Sequence, residues 1–346
     1  MHSKYITVAL LNFNQACLLK RSITAIKNQT LKPYELIIGD DCSQDDSLEI
    51  IEHYKMHDSW IKSMHNKTNL GVVANANSLL KYVKTKYVLF AAADDFLLPD
   101  YIERAEKIIK NNSETGVITA TALTFNKDKG SSGFYSSTFV SINSKFLDPK
   151  KFIKKLKHFG SFIKGATSIY KTEALKDLNG LDPNFFSFCD SYVAIQLSLK
   201  YGCFFDPCPG AVCERFATGY ASSTMRDIDI IKKIINYLIT KKEELPFAVY
   251  RSLSNKFISR LMSLIYFENN KKLFPENCSK LPPKDFSKLI SIYFFMKEKN
   301  PIFFLNLIII KYKQKIFLKI SSFLLKKKIK EYNRYILDLN KLVERK

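Results

Sequence analysis

Short apolar runs open the chain, and segments of helical period separate them. Residues 5–11 form a β-rich run, and the apolar positions of 18–27 recur at helical spacing. Residues 35–39 read as a second, buried strand, followed by Asp40-Asp41-Cys42-Ser43 and a helix from about Ser47. A third helix is expected over about 74–82, and a further strand over 87–91 runs into Asp94-Asp95. Strands alternating with helices imply an α/β fold with a mainly parallel sheet flanked by helices. Ligands in such sheets sit at the carboxyl ends of strands. Asp40, Asp41, Asp94 and Asp95 all fall there.

The texture changes near residue 113. Residues 116–120 read as a strand, and the Ser/Gly-rich stretch 130–133 as a mobile loop. A strand is expected over 166–170, with turns at Asn179-Gly180 and Asp182-Pro183-Asn184. Helical periodicity over 190–201 stops at Gly202, and from about 228 nearly everything reads as helix. No internal repeat is present.

The chain has 346 residues, of which 46% are hydrophobic, so a sizeable core is expected and a disordered chain is excluded. Charge is unevenly placed. Residues 1–227 carry 28 Lys and Arg against 23 Asp and Glu, whereas residues 228–346 carry 26 against 10. The basic tail asks for an anionic partner. The 7 cysteines form no C-x-x-C pair, which argues against a disulfide scaffold and a structural zinc site. Met1-His2-Ser3-Lys4 offers no signal peptide, and the longest apolar run, 302–310, is far below the roughly 20 residues of a spanning helix. A reduced, cytoplasmic protein is expected.

Two Asp-Asp pairs at equivalent strand ends have two readings. Asp after a strand commonly serves turns and helix caps. Clustered carboxylates also repel one another unless a cation compensates, and a hard divalent ion accepts oxygen ligands. The residues alone leave both readings open.

Several segments together resemble family 2 glycosyltransferases. They are residues 8–14, 22–30 and 35–43, then Asn69-Leu70-Gly71 through Asn77, then 87–99 holding Ala92-Ala93-Asp94-Asp95. The likeness continues through 165–170, Gly180-Leu181-Asp182 and Phe188-Cys189-Asp190, and it covers roughly residues 5–220. The resemblance implies an inverting enzyme of the glycosyltransferase A-type fold, acting in bacterial polysaccharide or glycan synthesis. It further implies a nucleotide-sugar-binding half over 1–112, an acceptor-binding half of the same catalytic domain over 113–227, and a basic helical region over 228–346.

Carried over residue by residue, Phe13 is where an aromatic ring stacks on the base, with Leu11 and Asn12 lining the same pocket. Asp41 matches the acid that accepts a hydrogen bond from the base, its alternative role being to cap the helix after it. Asn69 and Ala93 are expected beside the nucleotide. Asp94 matches the principal ligand of a divalent metal, Mn²⁺ or Mg²⁺, and Asp95 the acid after it. The family usually has a further acid where this chain has Ala92, so one carboxylate is missing. Asp190 matches the catalytic base, with Cys189 in place of the usual acidic neighbour; its alternative role is an N-cap. The segment from Glu214 to Ser223 stands where the family contacts diphosphate, and Arg215 is its candidate. His65 and His158 lack partners at metal or nucleophile spacing and read as structural.

The implied partners are a nucleotide-sugar donor, a UDP-sugar by family habit, and a glycan or lipid-linked acceptor. Residues 311–330 hold lysines at 311, 313, 315, 319, 326, 327, 328 and 330 around an apolar stripe of helical spacing. Such a helix can lie on an anionic membrane surface, or pack its stripe on the body. The expectation is a peripheral protein at the inner face of the cell membrane. Two other readings stand beside it: a basic nucleic-acid-binding protein, which lacks any recognisable module here, and a relative that binds sugar nucleotides without turnover.

Overall fold

The structure is a computed structural model, and it describes residues 1–126, 131–134, 138–214, 219–269, 319 and 323–344. Its first part alternates β1 (Ile6–Asn12), α1 (Ala16–Lys27), β2 (Glu35–Asp40), α2 (Ser47–His57), β3 (Ile61–His65), α3 (Val72–Leu80) and β4 (Tyr87–Ala92). A tight turn leads to β5 (Asp95–Leu97), then α4 (Tyr101–Asn111), β6 (Val117–Asn126), β7 (Ser131–Phe134), β8 (Lys145–Leu147) and α5 (Pro149–Phe159). β9 (Ile169–Lys171), α6 (Thr172–Asp177), α7 (Cys189–Tyr201) and β10 (Cys203–Cys213) follow. The later helices are α8 (Tyr220–Thr224), α9 (Ile228–Thr240), α10 (Phe247–Asn269) and α11 (Lys326–Glu344).

The strands form one sheet in the order β3-β2-β1-β4-β9-β6-β10-β5, with β7 beside β6 and β8 beside β10. The ladder β3-β2-β1-β4 is parallel throughout. Beyond that parallel nucleotide-binding ladder, β6 and β10 are parallel to each other, and antiparallel strands join them: β9 runs antiparallel to both β4 and β6, and β5 antiparallel to β10. A parallel return needs a crossover of about a dozen residues. The turn between β4 and β5 is far too short for one.

β1 shows why the sheet is covered on both faces. Ile6, Val8 and Leu10 enter a core beneath α1, α2 and α4 with Leu19, Ile23, Ile51 and Ile102. Ala9 faces the opposite core, shared with Val73 and Leu79 of α3 and Val193 and Ile195 of α7. Ile231, Ile234 and Leu238 of α9, with Val249, Leu253 and Phe257 of α10, extend that second core. Tyr332, Ile336 and Leu339 of α11 pack in a third cluster with Ala25, Phe96, Leu123 and Val212.

Some expectations change. Residues 131–134 are a strand, not a mobile loop: β7 pairs with Leu123–Asn126 of β6, and Ser132 donates from N–H and Oγ to Asn333 Oδ1 of α11 at 2.9 and 2.6 Å. α3 begins at Val72, two residues before its expected start, because Gly71 (φ 84°) turns the chain into it. β3 and β10 have no counterpart in the sequence reading. β3 is half polar at the sheet edge, and β10 contains two prolines and shifts register at Asp206, Pro209 and Ala211. Much of the basic stripe 311–330 lies outside the described residues, as does Arg215; residues 319 and 323–330 are described, and Lys326–Lys330 open α11.

Candidate active site

Register brings the first strand ends together. β1 pairs Asn12 with Asp40 of β2 and Leu11 with Ala92 of β4. Asn12 is turned inward, donating to Asp40 Oδ1 at 2.8 Å and to Ser43 Oγ at 3.2 Å. Asp40 also accepts from the Ser43 amide at 3.0 Å. This buried knot holds the strand ends level, and Asn14, in a left-handed conformation (φ 50°), bends the chain away above it. Phe13 sits at that bend with 43% of its surface exposed, an open aromatic face over the strand ends.

Asp41 is buried, yet it does not cap α2, whose N-cap is Asp46. Its carboxylate instead fixes the entry to α3. Oδ1 accepts from Asn66 Nδ2 at 2.8 Å and from the Leu70 amide at 2.9 Å, and Oδ2 accepts from the Gly71 amide at 2.8 Å. Asn69 joins this turn at the exposed rim, its Oδ1 sharing the Gly71 amide at 2.9 Å. A carboxylate has about four acceptor positions, so Asp41 keeps capacity for one more donor.

The acidic segment between β4 and β5 is tied down through its main chain. Ala93 is fully buried and donates to the Leu11 carbonyl at 3.1 Å. Ser22 of α1 donates to the Ala93 carbonyl at 2.8 Å and also to that of Asp95. Arg21 donates to the Asp94 carbonyl at 3.0 Å. Asp95 accepts from the Glu214 amide at 3.2 Å. Burial pushes both carboxyls above the usual carboxylate range; Asp95 rises further because Asp94 repels it, while Arg21 pulls both down.

Such a site is short of positive charge. Among the described residues no group of three or more His, Cys, Asp and Glu could hold an ion by itself. Asp94 and Asp95 could offer an ion only carboxylate oxygens, and too few of them to complete its shell. That fits a hard divalent ion whose shell is completed by oxygens of a bound diphosphate.

Asp190 stands in the first turn of α7, two positions past the N-cap, which is Phe188, so the alternative role of Asp190 as an N-cap does not hold. Its carboxylate accepts from the Ser191 amide, and its carbonyl accepts from Tyr170 Oη at 3.3 Å. Burial raises its carboxyl; the Ser191 amide, Lys256 and Lys164 hold the rise in check. Burial pushes the Lys164 ammonium down, and the negative charge of Asp190 opposes that shift. Cys213 is the strand partner of Asp95, and burial and that carboxylate push its thiol well up.

Residues 7–178 match glycosyl transferase family 2. They are a family 2 glycosyltransferase domain. An uncharacterized glycosyltransferase of Methanocaldococcus jannaschii is 32% identical over 120 residues, 34% of this chain and 41% of that relative. The poly(ribitol-phosphate) beta-N-acetylglucosaminyltransferase TarP of Staphylococcus aureus is 34% identical over 119 residues, 33% of this chain and 36% of TarP. The chain therefore spans well under half the length of these curated relatives. Among solved structures, S. aureus TarS 1–349 with UDP-GlcNAc superposes with a TM-score of 0.57 at 17% identity, covering 80% of this chain and 76% of TarS. The mannosyltransferase PcManGT of Pyrobaculum calidifontis, solved with GDP-Man and Mn²⁺, gives 0.54 at 14% identity and covers 92% and 85%. These likenesses show the glycosyltransferase A-type fold.

Sequence reasoning assigned no individual site role to Arg21, Ser22, Lys164, Glu214 or Asn340, although Ser22 and Glu214 lie in segments that carry the family resemblance. Arg21 and Ser22 are polar residues of α1, yet both are buried. A charged residue beside Leu19 and Ile23 on α1 was the one available signal. Its partners lie up to 319 positions away.

Proposed function

We propose that the chain transfers a sugar, with inversion, from a nucleotide diphosphate donor, a UDP-sugar, to a hydroxyl of a glycan or lipid-linked acceptor. The observation that carries this is the register that levels the ends of β1, β2 and β4, so that exposed Phe13, buried Asp41 and the turn holding Asp94 and Asp95 stand at one edge of the sheet. An inverting transfer is one displacement. The acceptor oxygen attacks the anomeric carbon, the bond to the diphosphate oxygen breaks, and its electron pair leaves with the diphosphate. Asp190 would take the proton that the hydroxyl loses.

Phe13 would stack on the base and Asp41 would accept from a ring N–H with its remaining capacity. Leu11, Asn12 and Asn69 shape that pocket, while buried Ala93 supports it from below. Asp94 would hold Mn²⁺ or Mg²⁺, and Asp95 would orient the turn. The ion, when bound, supplies positive charge to the departing diphosphate.

No described helix is long and apolar enough to cross a membrane. At the start of α11, Phe323 and Leu324 are 78% and 61% exposed beside exposed Lys326, Lys327 and Lys330. That pairing supports peripheral attachment to an anionic membrane at its cytoplasmic face.

A thermal-shift screen against nucleotide sugars, with and without Mn²⁺, tests the reading. Ligand at 100 times its Kd stabilises a fold by about 2.7 kcal/mol. A rise in midpoint with UDP-sugars, larger in Mn²⁺, is expected, and no response to any nucleotide sugar rejects it. Ala92, in place of the first acid, favours a second reading, binding without turnover; UDP-sugar hydrolysis by the protein separates the two.

A further inference from the structure

Three consecutive carbonyls of the acidic turn, those of Ala93, Asp94 and Asp95, are all captured by two consecutive residues of α1. Ser22 takes the first and third, and Arg21 takes the middle one at 3.0 Å. A turn bonded in this way holds its peptides in place, so the direction in which the Asp94 side chain leaves the backbone is fixed. The guanidinium also lies among the carboxylates of Asp94, Asp95 and Glu214 and lowers the carboxyls of the first two.

Arg21 is in turn held from behind. One guanidinium nitrogen donates to Glu214 Oε1 and to Asn340 Oδ1, each at 2.8 Å, and the group stacks 4.5 Å from the centre of the Phe96 ring. Asn340 belongs to α11, which is fastened to the same side of the molecule. Tyr332 Oη donates to Asp100 at 2.7 Å, Lys328 pairs with Asp100, and Ile336 and Leu339 pack beside Phe96. A helix from the far end of the chain therefore reaches the back of the turn through one arginine.

We infer that Arg21 is a positioning residue for the metal-binding turn, and that α11 sets its position through Asn340. This rests on the sugar-nucleotide reading with Asp94 as metal ligand. Groups that orient a metal ligand typically change metal affinity about 10–100-fold when removed. Lys at position 21 would keep the charge and lose the planar fork that reaches three acceptors.

The test uses the full chain and measures UDP affinity by calorimetry in Mn²⁺ and in chelator. Asn340→Ala should weaken binding in Mn²⁺ about 10-fold and leave binding in chelator unchanged. Asn340→Asp, which keeps an acceptor for Arg21, should stay closer to wild type. Arg21→Lys should show the same Mn²⁺-specific loss; if it fails to fold, the Asn340 pair decides. Hydrogen exchange over residues 92–97 should quicken in Asn340→Ala. Wild-type affinity in Mn²⁺ for Asn340→Ala would overturn the inference. So would a loss equal in Mn²⁺ and chelator, the signature of a merely structural contact. A wild-type chain that binds UDP no better in Mn²⁺ than in chelator would instead remove the metal from the proposed function, and this inference with it.

Discussion

The Asp190 carboxylate lies so close to Gly165 that a methyl group on that glycine would collide with Oδ2. Gly165 opens a short three-ten turn, Gly165–Thr167, whose threonine is anchored to the Ala120 carbonyl at 2.7 Å. The turn cannot easily retreat. Gly165→Ala should therefore move Asp190 rather than the turn. A displacement of about 1 Å in a catalytic group can cost on the order of 10² in rate. Steady-state transfer is expected to fall by about that factor, with UDP affinity within about twofold of wild type.

Asp190→Asn keeps the size of the side chain and cannot take a proton. Transfer should fall by about 10²–10⁴ while donor binding persists. A rate within a few-fold of wild type would remove Asp190 as the base.

Burial raises the Asp190 carboxyl in the folded state, and this fixes the sign of two pH effects. Catalysis needs the ionised form, so the acid limb of kcat/KM should lie above the range of an ordinary carboxylate. Stability runs the other way. The contribution of a raised carboxyl is fully present below the unfolded value, near about 3.9, and is lost as pH rises through the folded one. At neutral pH the buried charge therefore costs stability, and Asp190→Asn should raise the melting midpoint there. The difference should shrink on acidification, as scanning calorimetry across pH would record.

Asp94→Ala should weaken UDP-sugar binding in Mn²⁺ and change little in chelator, because the lost ligand acts through the ion. Asp95→Ala should show a smaller Mn²⁺-dependent loss, since its carboxylate is occupied by the Glu214 amide. Equal affinity of wild type and Asp94→Ala in Mn²⁺ would take Asp94 out of the site.

Phe13 is exposed enough that its loss should barely affect folding. Base stacking on an aromatic ring is worth about 1–3 kcal/mol by alanine substitution. Phe13→Ala should therefore raise the Kd for UDP by about 5- to 150-fold with an unchanged melting midpoint.

Membrane attachment is best tested by substitution. Deleting α11 would strip Tyr332, Ile336 and Leu339 from a core cluster and confound the result. Replacing Lys326, Lys327 and Lys330 by Glu, with Phe323 and Leu324 by Ser, leaves that packing in place. Each lysine near an anionic surface contributes roughly 1 kcal/mol. The substituted chain should no longer co-sediment with anionic vesicles at low salt, and wild-type binding should weaken as salt rises. Equal sedimentation of both chains would return these side chains to an ordinary solvated surface.

By itself the sequence determined β1, β2 and β4, because unbroken apolar runs bounded by turn residues suit only strands buried on both faces. It likewise determined that Asp40 closes β2, with Asp41 directly after it, and that Asp94 follows β4, since their places follow from where those runs stop, whereas Asp95 opens β5. Local period carries that much and no more. β10 escaped it because its prolines and bulges break the pattern, and its strand state is settled by β6, β5 and β8 alongside. Residues 131–134 looked like a loop until α11 arrived to hold them. Whether a charge is solvated or buried depends on partners that no window of sequence contains. Arg21 is buried because Glu214 and Asn340 converge on it, and Asp190 is half-buried where Gly165 leaves room for its carboxylate. Only the folded chain brings residues so far apart within hydrogen-bonding distance, and there alone their desolvation and mutual charge become properties of one site.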